Sequence, residues 1–202
     1  MPIRKMSELK AKERETRRQL ILSAARALFA EKSYRSVTVR EIARKAGIST
    51  GTLYNYYTNL DELFLDVFFS GADEIIQLLT REFADVPCPI RRFCEIYIDY
   101  LNTHMIFYQL MGHFMLGGDL SPVAAGRLNA AMRALMDRIE TVVAASDRPG
   151  DTRLAAHALF SAVNGIMISY ARYPGRTTAE IRRHTLRLAG LIGDCFEARG
   201  VP

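Results

Sequence analysis

Residues 38–57 read TVREIARKAGISTGTLYNYY, and this stretch decides how the chain is understood, because it specifies two short helices joined by a tight turn. Thr38 followed three residues later by Glu41 is a capping box: the hydroxyl takes an orphan N–H of the first turn, and the carboxylate reaches back to the cap. A helix therefore begins here. Val39, Ile42, Ala43 and Ala46 fall on one side of it at helical spacing, with Arg40, Arg44 and Lys45 on the other. Gly47 can take the left-handed backbone that ends this helix and turns the chain. Ser49 caps a second helix, with Ile48 one residue before the cap and Leu53 four after, the spacing of a hydrophobic staple. Leu53 and Tyr57 then pack inward, and Thr50, Gly51, Tyr54 and Asn55 face outward near the start of the second helix. Two helices held this way are the layout that lays one of them in the DNA major groove.

The outward residue types suit that task. Gly51 lets the backbone approach closely, the Thr50 and Thr52 methyls can meet thymine methyls, and the Ser49, Tyr54 and Tyr56 hydroxyls can bond phosphate oxygens. Asn55 can pair with adenine in two-pronged fashion. With Thr38, Arg40 and Arg44 they form the candidate DNA-contacting set. Taken singly, each is an ordinary cap or surface residue; in this order and spacing, the set predicts DNA binding.

Charge divides the chain in the same place. Residues 1–60 carry 13 Lys+Arg against 5 Glu, a net +8, whereas residues 61–202 carry 14 Arg against 17 acids, a net −3. The overall +5 thus conceals a basic head on a mildly acidic body. A polyanion binder concentrates its cations where the phosphates lie, since released counterions supply much of the affinity.

From about Arg17 to Leu63 the chain resembles the tetracycline-repressor (TetR) family of bacterial transcriptional regulators. The segments ILSAARALFAEKSY, SVTVREIARKAGIST and GTLYNYYTNLDELF carry the resemblance. It implies a homodimer with an N-terminal DNA-binding domain and a larger helical ligand-binding domain. By position it implies phosphate contacts from Thr38 and Tyr54, a recognition helix opened by Ser49 to Thr52, and a phosphate-contacting place for Tyr56. Two departures stand out: Ser33 replaces the family's usual glycine after helix one, and Leu60 replaces a common lysine. The second removes a phosphate contact and shifts affinity onto other cations.

At 202 residues and 49% hydrophobic content the chain can bury a substantial core. The expected fold is all-α: a flexible basic arm at 1–16, a helix-turn-helix domain at 17–60, and a helical effector-binding and dimerisation domain at 61–202. Within the N-terminal segment Arg14, Arg17 and Arg18 read equally as an arm following DNA or as a solvated tail. That segment lacks an apolar core, so it is read as neither signal peptide nor membrane anchor. Cys88, Cys94 and Cys195 suggest no disulfide framework and fit a reducing cytoplasm.

Asn59, with Glu62 three residues later, caps a long helix whose apolar stripe includes Leu63, Phe64, Val67, Phe68, Ile75, Leu78 and Leu79. This helix is expected to bridge the domains and to stop near Val86-Pro87-Cys88-Pro89. Further helices are expected at 90–103, 104–116, 121–145, 151–173 and 178–198, separated by GGD, DRPG and YPGR signals. No charged residue lies between Asp99 and Asp119, yet Gly112 and several polar residues make a poor membrane span. Methionine adapts its shape, so Met105, Met111, Met132, Met136 and Met167 with Phe114 and Phe160 can line a pliable pocket. Tyr97, Tyr100, His104, Tyr108 and Asn164 would give it more polar tips than a dry core needs. Plain core packing describes most of these side chains equally well.

Small residues recur on the last two helices: Ala155, Ala158, Ala162, Gly165 and Ser169, then Leu186, Ala189, Gly190 and Gly193. They permit close helix approach, either between subunits in a four-helix bundle or within one subunit. Dimerisation is expected because a two-fold pair of recognition helices reads two half-sites. No phosphate loop or nucleophile elbow is present, and the cysteines and histidines match no common zinc spacing. No catalytic residue, metal or cofactor is therefore expected. The sequence predicts a DNA-binding transcriptional regulator, a repressor that binds a palindromic operator as a dimer and is released by a small apolar or amphipathic effector. A small helical enzyme acting on an apolar substrate in the same pocket is the alternative from another class.

Overall fold

The computed structural model describes residues 2–83, 89–116, 120–146 and 150–197, with side chains from Met6 onward. Among the described residues the fold is all-α: α1 Pro2–Glu31, α2 Val39–Lys45, α3 Thr50–Tyr54, α4 Leu60–Glu82, α5 Ile90–Thr103, α6 Met105–Met115, α7 Pro122–Ala144, α8 Thr152–Tyr170 and α9 Thr178–Glu197. A short 3-10 turn, Tyr34–Ser36, follows α1. Cys88, the GGD signal and the first three residues of DRPG lie outside the described residues.

The expected flexible arm at 1–16 is instead the start of α1. Its residues explain why: SELKAKERETRRQL is built of strong helix formers. Pairs one turn apart support it, Arg17 to Glu13 at 2.6 Å and Gln19 to Glu15 at 2.8 Å. At the other end, Ser33 sits at φ −53°, a conformation open to any residue, so the missing family glycine costs nothing there.

The chain packs as two units, Met1–Ser70 with Gln109–Gly118, and Gly71–Tyr108 with Asp119–Pro202. The sequence placed the boundary at 60/61, whereas packing places it inside α4. Phe64 explains the difference, since its ring meets Phe29 at 5.3 Å and Tyr34 at 5.5 Å, both edge-on. One turn on, Phe68 takes Phe114 of α6 at 5.9 Å, and His113 lies 5.8 Å from Tyr34. His113 and Phe114 of α6 thereby join the first unit, while Phe107 and Tyr108 fall in the second.

Also in the first unit, Asp66 is a carboxylate only 7% exposed, set in the apolar run LFLDVFF of α4. Arg18 of α1 donates to its Oδ2 from Nε at 2.9 Å, and its Nη2 lies 2.8 Å from the same oxygen as an ion pair. The Tyr57 hydroxyl donates to the same oxygen at 3.0 Å. Burial acts to lower the Arg18 pKa, but the hydrogen bond and charge of Asp66 outweigh it and the net shift is upward. Burial, then the Asp66 charge, pushes the Tyr57 hydroxyl well above the usual phenol range.

In the second unit α5 and α9 are the most intimately packed pair. Ala189 is fully buried, and Gly190 and Gly193 are buried against Arg91 of α5. The small-residue stripe of α9, one of two candidates for self-association, is therefore used within the chain. Buried Thr185 accepts from Asn102 at 2.9 Å, and Arg182 reaches Asp99 at 2.6 Å. Gly71 on α4 similarly admits the Phe107 ring, which would lie 2.6 Å from any added Cβ.

A methyl at Gly193 would overlap the Arg91 Cα, whereas Gly126 on α7 has open space around its position. Gly193→Ala is expected to cost about 2–3 kcal/mol, with Gly126→Ala neutral or stabilising by about 0.5–1 kcal/mol. Denaturant melts of the two variants check this ordering.

Candidate DNA-binding surface and effector region

The candidate surface is built from the capping box outward. Glu41 N–H donates to Thr38 Oγ1 at 3.3 Å, and the Thr38 N–H donates back to Glu41 Oε2 at 2.9 Å. The Thr38 hydroxyl also donates to Oε2 at 2.8 Å, so its proton is already engaged. Lys32, which sequence reasoning passed over, donates to Glu41 Oε1 at 2.6 Å. Those bonds, Lys32 first and the Thr38 hydroxyl and N–H next, hold the Glu41 carboxyl down at about 2. Arg40 and Arg44 are exposed beside it.

Gly47 takes φ +68°, the left-handed turn its place requires. Ser49 then caps α3, its Oγ accepting from Thr52 N–H at 3.0 Å, and Leu53 is 1% exposed beneath the helix. Ser49, Thr50 and Gly51 are exposed, Thr52 is half-buried and Tyr54 is 55% exposed. Because α3 spans only five residues, Asn55 stands at its C-cap, one end away from where the sequence placed it. Tyr56 is half-buried, with the Arg14 guanidinium 5.5 Å from its ring centroid. Of the arm cations, Arg14 therefore lies by this surface, Arg18 is held by Asp66, and Arg17 pairs with Glu13.

The candidate effector residues divide between the units. Met111 and Phe114 are buried in the first. In the second, Tyr97 is fully buried, its ring stacked on Phe93 at 5.9 Å and edge-on to Phe160 at 6.3 Å. Asn164 Nδ2 donates to the Phe160 carbonyl at 2.8 Å and approaches the Tyr97 hydroxyl at 3.4 Å. Asn164 Oδ1, among the described residues, is buried with no partner. Burial raises the pKa of Tyr97 and of half-buried Tyr108. Met136 and Met167 are buried, and Met105 and Met132 half-buried. Tyr100 and His104 stand apart: their rings stack at 4.0 Å, Tyr100 donates to the Gly71 carbonyl at 2.8 Å, and both line an open cleft of about 800 Å³ between α5 and α9. No group of three metal-binding side chains occurs among the described residues, and no helix there is long and apolar enough to cross a membrane.

Residues 21–67 match the profile of a family described as bacterial regulatory proteins, tetR family. The chain is 35% identical over 81 residues to the HTH-type transcriptional regulator HbdR of Aromatoleum sp. (strain CIB), covering 40% of this chain and 35% of the relative. It is 28% identical over 166 residues to the HTH-type transcriptional activator FasR of Mycolicibacterium smegmatis, covering 79% and 73%. The matches to the first two curated relatives span only 35% and 38% of their lengths. Among solved structures, the transcriptional regulator FadR from Bacillus subtilis in complex with stearoyl-CoA superposes with a TM-score of 0.65 at 16% identity, covering 85% of this chain and 96% of that one.

Two outcomes are expected. Tyr54→Phe weakens binding to all duplexes alike, whereas Thr50→Ala alters base preference; binding profiles across a sequence library separate them. The Glu41 carboxyl, depressed from 4.5 to about 2, contributes stability that is complete above its unfolded value and is lost as pH falls through about 2. Melts from pH 5 downward should therefore show Glu41→Gln with a flatter acid dependence than the parent chain.

Proposed function

We propose that the chain is a transcriptional repressor of the tetR family of bacterial regulatory proteins, which holds a palindromic operator as a homodimer and leaves it on binding a small effector. One observation carries the DNA half: the capping box, the left-handed Gly47 and the Ser49 cap together present Thr50, Gly51 and Tyr54 outward on the basic part of the chain. Arg40 and Arg44 flank that helix and neutralise phosphates.

Self-association falls to α8 and α9. With the α9 glycines buried against α5, the free faces offer Leu154, Ile168 and Leu191, which are 68%, 76% and 59% exposed. Ala158 and Ser169, exposed on α8, leave room for a partner helix between those apolar side chains.

An apolar or amphipathic effector fits the Tyr97, Phe160 and Asn164 cluster. Its aromatic rings would face the apolar part, and the unpaired Asn164 Oδ1 would accept a hydrogen bond from a ligand donor. The stearoyl-CoA complex of the Bacillus subtilis neighbour supports an amphipathic class. Release follows only if the effector prefers one arrangement of the recognition helices, because equal affinity for both shifts nothing. Helix α4, shared between the two units, is the element proposed to carry that preference.

Fluorescence anisotropy on a duplex library tests the reading. Expected is dimer binding that weakens steeply with added salt and is lost in Arg40→Gln/Arg44→Gln. A purified protein that ignores every duplex in dilute salt would overturn it.

A further inference from the structure

The acidic body of the chain contains one basic stretch that operator binding does not use. Residues 176–187, RTTAEIRRHTLR, carry four arginines against a single glutamate. Arg182 is committed to Asp99 of α5. The remaining three, Arg176, Arg183 and Arg187, line a cleft of about 360 Å³ where the end of α8 and the turn after it meet α9. That volume falls in the range of small-molecule sites.

The one carboxylate in the lining, Glu180, offsets one of these three positive charges, through its ion pair with Arg176, and leaves two. Glu180 Oε2 accepts from the Thr177 N–H at 2.8 Å and hydroxyl at 2.9 Å, capping α9. Its other oxygen is 3.6 Å from Arg176. Among the described residues, Arg183 and Arg187 make no hydrogen bond or ion pair. Beside them stands an aromatic wall: the Tyr170 and Tyr173 rings stack at 5.9 Å, and His184 meets Tyr170 edge-on at 4.9 Å. Tyr173 is half exposed, leaving ring surface open to the cleft.

We propose that this cleft is a second ligand site, separate from the effector cluster, for an aromatic ring bearing a phosphate, the chemistry of a mononucleotide. Three guanidinium groups against one occupied carboxylate leave a surplus that matches a phosphate dianion, and the planar forks of Arg183 and Arg187 suit its oxygens. The ring stacks on Tyr173, as bases do on aromatic side chains. A shared requirement for ring and charge distinguishes this site from a cationic surface, which holds any anion.

Calorimetry on the full chain at physiological salt, with adenosine monophosphate, adenosine and inorganic phosphate, tests the proposal. Expected is one adenosine monophosphate per chain, with adenosine and phosphate each about tenfold weaker or more. Arg183→Gln/Arg187→Gln should weaken the nucleotide about tenfold without moving the thermal midpoint, both side chains being exposed. Tyr173→Ala should weaken the nucleotide and leave phosphate unchanged, and Arg40→Gln/Arg44→Gln should leave the nucleotide unchanged. Magnetisation transfer from the Tyr173 ring to the adenine protons locates the ring without any substitution. Phosphate binding as tightly as the nucleotide, nucleotide binding lost with Arg40 and Arg44 instead, or no binding of adenosine monophosphate would each overturn the site.

Discussion

A single buried oxygen ties the first unit together. Asp66 Oδ2 accepts from Arg18 Nε and from the Tyr57 hydroxyl and is ion-paired with the same guanidinium, so α1, the segment after α3, and α4 converge on one charge. A carboxylate this deeply placed is tolerable only while its donors stay in position, since losing one leaves a charge without compensation in a low-dielectric setting. That condition makes the cluster a positional constraint more than a source of net stability. Apolar packing by Phe29, Tyr34 and Phe64 fills the same unit but can slide; directed hydrogen bonds from Arg18 and Tyr57 converging on one oxygen cannot.

The same division between polar pins and close packing recurs in the second unit with other residues. Asn102 to Thr185 and Arg182 to Asp99 set the register of α5 against α9, while Gly190 and Gly193 allow the backbones to approach. That close approach has a functional consequence. It turns the small-residue face of α9 inward and leaves Leu191 outward, along with Leu154 and Ile168 of α8, as the apolar surface on which the proposed dimer rests.

Charge is partitioned as sharply as packing. The basic surplus of the first sixty residues is thinned by internal pairs, Arg18 with Asp66, Lys32 with Glu41 and Lys45 with Glu31, which hold structure and leave Arg40 and Arg44 facing solvent. On the acidic body the reverse holds. Acids such as Asp99, Asp137 and Asp194 take up Arg182, Arg153 and Arg91, and among the described residues Arg183 and Arg187, beside Tyr173, are left over. Net charge alone identified the first surplus and concealed the second.

Local chemistry made much of this molecule legible from its residues. The Thr38 and Glu41 box, the Gly47 turn, the Ser49 cap and the 90–103 helix each depend on neighbours within four or five positions, and all appear where the sequence set them. Spacing did not reveal what lay further off. Asp66 was a lone charge in an apolar run, a signal of a buried partner, but Arg18 lies 48 residues away and no local pattern names it. Likewise a stripe of alanines and glycines encodes close approach without saying to which helix, and only tertiary packing assigned α9 to α5. Short-range hydrogen bonds and turn geometry are written in order along the chain; the pairing of distant faces is decided by which surfaces fold against each other, a property of three dimensions that linear spacing does not contain.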